Sequence, residues 1–390
     1  MKKLAIITTH PIQYNAPFFK LLAQRKKIQL KVFYTWSQSK NEQKYDPGFD
    51  KNIKWDIPLL EGYDYVFVEN IAKKPGSHHY NGINNPTLIH EIGSWGATAV
   101  MLYGWNFKSH LKAMKYFKNK LPVLFRGDST LLDEKVGVKK ILRRLFLRYV
   151  YSNVDTALYA GKANKEYFKV HGFKENEMVF MPHAIDNKRF ELSEINNNEA
   201  DKLRQSINIP ENAIVFLFAG KLEEKKQPDF LAKIFCEITN EHTFLLIVGN
   251  GNLEKDLKEK YIHHPQIRFL DFVNQQEMPS VYASCDVFIL PSKGPGETWG
   301  LSINEAMAGG KAVIVSNACG AAYDLIVNDT NGFVFEKNNP EMLKSYMKVI
   351  QKNKISAATM GENSLKLIQP YSFEKECMAL ENVLLKKTNN

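Results

Sequence analysis

Twice along this chain, short β-branched or aromatic runs closed by Gly, Pro or Asp alternate with longer amphipathic stretches. The runs are too short for helices, and the stretches between them are long enough to cross back over a sheet. That is the βαβ rhythm of parallel, doubly wound α/β sheets. In the first series the strand candidates are Leu4–Thr8, Leu30–Tyr34, Ala99–Tyr103, Val123–Phe125 and Thr156–Tyr159. In the second they are Ile214–Phe218, Thr243–Val248, Ile267–Phe269, Val287–Leu290, Ala312–Val315 and Phe333–Phe335. Helices are expected around Phe18–Gln24, Ser109–Phe117, Phe230–Ile238, Leu301–Ala308 and Met342–Gln351.

A chain of 390 residues exceeds one hydrophobic core, since single cores stop growing near ~250–300 residues. The division is expected inside the polar, Asn-rich stretch Glu191–Pro210, which has the composition of a linker or a mobile helix. We therefore expect a Rossmann-like domain over 1–200, a second over 201–370, and a C-terminal helix over 371–390, centred on Phe373–Leu385, that packs back toward the first domain. Two such domains bring the carboxyl ends of both sheets to one cleft, where ligands of this architecture bind.

Cys236, Cys285, Cys319 and Cys377 are far apart and form no C-x-x-C pair, which fits a reduced, cytoplasmic setting. The opening M-K-K-L-A-I-I-T-T-H reads as a strand, because its apolar run stops after Ile7, short of the ~7–15 residues of a signal-peptide core. No stretch approaches the ~18–20 apolar residues of a membrane span, so any membrane contact is expected to be peripheral, on the inner face.

The net charge of +10 is unevenly distributed. Residues 1–190 hold 31 Lys and Arg against 16 Asp and Glu, while the remainder is net acidic. Such asymmetry points to an anionic partner for the first half, or to solubility alone. A nucleic-acid-binding protein is one reading, but the sequence has no helix-turn-helix, aromatic RNP pattern or zinc spacing, so nucleic acid is not expected. The stretch Val136–Val150 is both basic and apolar: Leu142, Leu145 and Phe146 share a helical face flanked by Lys140, Arg143 and Arg144. Either the apolar stripe packs on the first sheet or it lies on an anionic membrane surface, and the packed arrangement is the simpler expectation.

The most informative segment is G-P-G-E-T-W-G-L-S-I-N-E-A-M-A-G-G, residues 294–310. It follows the strand V-F-I-L-P-S and opens a helix, so Gly296 and Gly300 allow a backbone loop to approach a ligand closely. Free N–H groups at Thr298, Trp299 and Leu301, together with the helix dipole, suit a diphosphate. Glu297 precedes the helix and Glu305 lies one turn past Leu301, so both carboxylates reach one ligand across the helix start. Carboxylates there would accept hydrogen bonds from sugar hydroxyls, because phosphates would repel them.

This segment strongly resembles the family 4 glycosyltransferases, retaining enzymes of the two-domain GT-B fold. Their signature is two glutamates eight apart around an aromatic-Gly-Leu and followed by E-A-(M/L)-A-x-G, with Trp299 here in the aromatic place. The resemblance implies that Glu297 binds donor-sugar hydroxyls, Glu305 the ribose, and the amides around Trp299–Leu301 the diphosphate. A second match is F-A-G-K-L-E-E-K-K-Q-P, residues 218–228, where Gly220 frees the backbone and Lys221 and Lys226 offer two cations to a departing diphosphate. Lys stands at 221 where the family usually has Arg, and Lys225 is a substitute for Lys226. I-V-G-N-G-N, residues 247–252, resembles the family's glycine turn near the nucleotide base and adds Gly249 to the expected donor site. The resemblance covers roughly residues 155–370.

Before that it is weak. In place of a glycine-rich turn after the first strand stands T-H-P-I-Q-Y-N-A-P, so His10, Gln13, Tyr14 and Asn15 occupy expected donor or acceptor positions. In L-F-R-G-D-S, residues 124–129, Arg126 and Asp128 are the groups available where relatives often carry a histidine, and Y-G-W-N, residues 103–106, ends another strand.

No D-x-D occurs, so no metal or other cofactor is expected, and lysines and helix amides must carry the charge of the leaving group. The expectation is thus a metal-independent, retaining transferase that moves a sugar from a nucleotide-diphosphate donor to a glycan or lipid-linked saccharide in bacterial surface polysaccharide synthesis. A sugar-nucleotide epimerase on the same fold is the enzymatic alternative.

Overall fold

The computed structural model describes residues 1–36, 44–46, 51–134 and 136–385. In chain order its strands are β1 (Lys2–Thr8), β2 (Ile28–Tyr34), β3 (Lys44–Asp46), β4 (Lys51–Ile53), β5 (Asp64–Phe67), β6 (Ala99–Tyr103), β7 (Val123–Arg126), β8 (Thr156–Tyr159), β9 (Met178–Phe180), β10 (Ile214–Ala219), β11 (Thr243–Val248), β12 (Ile267–Leu270), β13 (Val287–Leu290), β14 (Ala312–Ser316) and β15 (Gly332–Phe335). They build a seven-stranded sheet in the order β5-β2-β1-β6-β7-β8-β9, a six-stranded sheet in the order β12-β11-β10-β13-β14-β15, and the small β3-β4 pair. Both large sheets are parallel.

Each sheet is doubly wound, and the physical reason is visible in the strands. β10, β11 and β13 are buried along their whole length, as strands covered by helices on both faces must be. Phe216, Phe218, Leu245, Ile247 and Ile289 form one core with Leu231, Phe235, Leu343 and Met347 from the covering helices. In the first sheet Ala5, Ile7, Val100, Leu102 and Val123 do the same with Leu111, Met114, Val150 and Phe168.

The chain divides into two compact units: Met1–Lys44, Ile57–His183 and Phe373–Asn390 in the first, Tyr45–Asp56 and Ala184–Ser372 in the second. The changeover at 183/184 precedes the expected boundary at 200. Glu191–Pro210 is not linker-like: Ser193 caps a helix over Glu194–Ser206 by accepting from the Asn196 N–H at 3.1 Å. Arg204 then fixes that helix to the second unit through the carbonyls of Ser284 and Ala213 and the carboxylate of Asp286. Polar composition suited a linker or a mobile helix; the segment is a helix, and the polar side chain of Arg204 docks it. The excursion Tyr45–Asp56 also had no sequence signal; there Asn274 Nδ2 donates to the Lys54 carbonyl at 2.7 Å.

The helix Phe373–Leu385 belongs to the first unit and is clasped there by ionic bonds. Arg25 Nε and Nη2 donate to the two oxygens of the buried Glu381 at 2.5 and 2.7 Å, and Lys27 Nζ adds a third bond at 3.0 Å. Hydrogen bonding to Arg25 holds the Glu381 carboxyl below its ordinary value of 4.5. A carboxylate with a depressed folded pKa stabilises the fold above its unfolded pKa, and that contribution disappears as pH falls through the folded value. We expect Glu381→Gln to cost about 1–3 kcal/mol at neutral pH, with the deficit against wild type shrinking below pH ~4. Thermal melts of both proteins across pH check this; a deficit that stays constant into acid would assign the loss to packing.

Candidate active site

In an open parallel sheet, ligands sit beyond the carboxyl ends of the strands where the winding reverses. In the second sheet that place lies between β10 and β13, paired through Phe216 with Val287 and Leu217 with Phe288. β10 runs into Gly220–Lys221 and β13 into Ser292 and the glycine-rich loop, so both expected donor motifs leave the sheet side by side.

Close backbone packing makes this junction possible. At φ +129°, Gly249 lies so near Gly220 that an added Cβ would come within 2.1 Å of the Gly220 carbonyl oxygen. Gly220 itself, at φ +153°, lies against the aliphatic part of Lys226. Lys226 Nζ donates to Glu297 Oε2 at 2.8 Å, and the buried Ser292 hydroxyl donates to the same oxygen at 3.0 Å. Glu297 is buried and thus held by a cation from one motif and a hydroxyl from the strand end. Lys221 lies two residues beyond β10, half-buried at the same end of the sheet.

Gly300, left-handed at φ +99°, caps the helix Leu301–Ala308, while Gly296 turns the loop at φ +87° with open space around its Cα. The loop is pinned from behind, where Gly320 N–H donates to the Glu297 carbonyl at 3.1 Å and Ala321 N–H to the Trp299 carbonyl at 3.0 Å. Trp299 is buried and its indole Nε1 donates to Asn304 at 2.8 Å, so this aromatic fastens the loop to the helix and is no exposed stacking platform. Thr298 is half-buried on the same loop. Glu305 is buried too, and accepts from the Tyr282 hydroxyl at 2.8 Å. Tyr282 and Asn304 were not singled out by spacing or motif, and Ser292 was legible only as the last letter of a strand end.

The first unit treats its candidate residues differently. Arg126 is buried, and its guanidinium donates to the carbonyls of Leu158, Met181 and Pro182, with His183 Nδ1 at 3.5 Å and Glu376 Oε1 at 3.4 Å. It joins strand ends to the C-terminal helix. Burial pushes the Glu376 carboxyl up to about 8, with the Arg126 charge pulling the other way. Asp128 is exposed and lies 3.9 Å from Nε2 of His183, whose pKa burial lowers. This histidine was missed because it comes from a segment distant in sequence. His10 Nδ1 is 2.9 Å from the Thr9 hydroxyl and its ring meets Trp36 edge-on. Asn15 begins the helix Ala16–Gln24 without a side-chain cap. Among the described residues no group of three or more His, Cys, Asp or Glu is placed to hold a metal.

Two Rossmann-like units of parallel sheet, with these glycine turns and buried glutamates, have the architecture of GT-B glycosyltransferases. The fold matches that of Anabaena HepE in complex with UDP and glucose, with a TM-score of 0.71 at 16% identity, covering 99% of this chain and all of the other. Residues 199–367, which lie within the second unit, match the model of the glycosyl transferases group 1. The chain is also similar to an uncharacterized glycosyltransferase of Methanocaldococcus jannaschii, 24% identical over 197 residues and half of each chain. It resembles the alpha-monoglucosyldiacylglycerol synthase of Acholeplasma laidlawii, 24% identical over 379 residues, 90% of this chain and 88% of the relative. The match thus spans half the length of the first relative and most of the second.

The pinning of the loop is open to test. A Cβ on Gly320 would fall 1.8 Å from the Thr298 carbonyl oxygen, whereas one on Gly296 meets nothing within 4 Å. Gly320→Ala should displace the loop at a cost of about 1–3 kcal/mol. Gly296→Ala should cost only the left-handed backbone penalty of about 1–2 kcal/mol. Denaturant melts of both, with crystal structures locating the loop, decide between a loop held from behind and one held by its own turn.

Proposed function

We propose that the protein is a retaining glycosyltransferase that takes a sugar from a nucleotide-diphosphate donor held by the second unit and passes it to a glycan or lipid-linked saccharide acceptor. The observation that carries this reading is the meeting of Lys226, Ser292 and Glu297 at the switch point of the second sheet, beside a helix start. A carboxylate oriented by a cation and a hydroxyl is suited to accept hydrogen bonds from sugar hydroxyls. The amides of Trp299 to Leu301 and the helix dipole suit the diphosphate. Glu305, whose orientation Tyr282 fixes, is assigned to the ribose.

As the glycosidic bond to the donor breaks, negative charge grows on the diphosphate. Lys221 and Lys226 balance it in this mechanism, with no metal or other cofactor taking part. The departing phosphate oxygen takes the acceptor proton on the same face, so the anomeric configuration is kept. HepE, a neighbour in fold, was obtained with UDP and glucose, which supports a nucleotide-sugar donor, and the Acholeplasma relative is an alpha-monoglucosyldiacylglycerol synthase, which supports an acceptor on the lipid side. Assignment to bacterial surface polysaccharide synthesis rests on the family resemblance. His10 and Asn15 remain candidate donor-phosphate or acceptor contacts, and Asp128 a candidate catalytic group. Arg126 is assigned a positioning role, because its donors are turned to backbone carbonyls.

A thermal-shift panel of UDP-, GDP- and ADP-sugars identifies the donor, after which transfer is measured directly. Glu297→Ala and Glu305→Ala should each reduce transfer roughly 30- to 1000-fold, the equivalent of ~2–4 kcal/mol, with the fold intact. Lys226→Ala should lower kcat more than it raises KM, and activity should survive EDTA. Near-normal turnover in both glutamate variants would overturn the site, loss with EDTA and rescue by Mg²⁺ would overturn the metal-free leaving group, and an inverted product by NMR would remove retention.

A further inference from the structure

The helix Val138–Tyr151 presents an apolar stripe to solvent. At 100° per residue, Val138, Leu142, Leu145 and Tyr149 line one side, and they are 73%, 62%, 58% and 57% exposed. The opposite side, Leu147, Val150 and Tyr151, is the one packed into the first core. This corrects the simpler expectation from sequence, in which the stripe itself covers the sheet. A contiguous row of large exposed side chains is a surface built to be covered.

The surroundings indicate by what. Neither Val138–Tyr151 nor the neighbouring helix Lys108–Phe117 contains a single Asp or Glu. The two lie side by side, with Lys115 Nζ 4.9 Å from the Tyr149 ring centroid and the Trp105 ring 5.6 Å from that of Phe146. Lys112, Lys115, Lys139 and Arg143 are exposed. The nearby acid, Glu134, is bound by Lys140 and Arg144, whose hydrogen bonds help hold its carboxyl below the ordinary value against the opposing effect of burial. The exposed charges along the two helices are thus basic, with the exposed Asp133 lying before the start of the second. Protein interfaces are depleted in lysine, whereas helices lying in a bilayer surface combine a Leu/Phe face with a Lys/Arg margin. Among the described residues no helix is long and apolar enough to cross a membrane, so contact by this helix would stay at the interface.

We propose that the first unit docks on anionic lipid bilayers through the stripe of Val138–Tyr151, with lysines of Lys108–Phe117 completing the basic margin. The inference is independent of the transfer chemistry, because it uses no residue of the candidate site.

Flotation of the whole protein with vesicles of phosphatidylcholine, alone or mixed with phosphatidylglycerol, tests it. Wild type should float with the mixed vesicles at low salt, far less with phosphatidylcholine alone, and should be released by high salt. Each basic residue removed should lower the partition about fivefold, so Lys112→Gln/Lys115→Gln/Arg143→Gln should lower it roughly 100-fold. Leu142→Ser/Leu145→Ser should abolish flotation even at low salt. Because all five side chains are exposed, both variants should melt like wild type. Equal flotation with both vesicle types, or equal flotation of wild type and either variant, overturns the proposal. So does a wild type that fails to float but forms a dimer that Leu142→Ser/Leu145→Ser dissociates, which would make the stripe a contact between copies.

Discussion

The candidate site of the second unit is organised around one ion pair, the half-buried Lys226 with the buried Glu297. Removing two charges from water costs several kcal/mol per ion, and their attraction repays this only when geometry and further hydrogen bonds are good. Here Ser292 supplies the further bond, and the lysine stem lies against Gly220. A hydrophobic pair of the same volume would fill that space at least as well. What an ion pair adds is a carboxylate and an ammonium kept in fixed positions, ready to exchange partners with a polar ligand. The glycine turns behind it follow from the same requirement: Gly249 must lie against the Gly220 carbonyl for the two strand ends to converge on one place.

Much of this was legible before any coordinates, because the second unit writes its chemistry in contiguous segments. The segment Gly294 to Gly310 is one loop and one helix, so spacing along the chain becomes spacing in the candidate site. The strands were legible for a similar reason: fully buried parallel strands are continuous apolar runs, and β10, β11 and β13 are such runs. β5 and β9 were not, since one is exposed or half-buried along its length and the other is a three-residue edge strand. For the helix Glu194–Ser206 composition left linker and helix open, because its burial is slight, with Ala200 its only buried residue, and its anchoring is ionic.

The partners of site residues were illegible for a different reason. Tyr282 reaches Glu305 from another helix, and His183 reaches Asp128 from another strand end. Neither relation has a period or a fixed offset, so nothing in a single sequence encodes it. Arg126 shows the converse: an arginine at a strand end after an apolar run looks like a site cation. Only the fold reveals three carbonyl groups converging on it.

That contrast separates two uses of buried charge within one chain. Arg126 is surrounded by acceptors that cannot leave, since the carbonyls of Leu158, Met181 and Pro182 are backbone, and losing it would orphan them together. Its charge is spent on closing the sheet end and on seating Glu376 of the C-terminal helix. Lys226 has one charged partner, on a loop pinned by its neighbours rather than by the lysine itself. A ligand that displaced the Lys226 ammonium from Glu297 would leave Gly320 and Ala321 still holding the loop. Charge fixed by backbone acceptors therefore serves architecture in the first unit, while charge balanced by one side chain stays exchangeable in the second, where the candidate site lies.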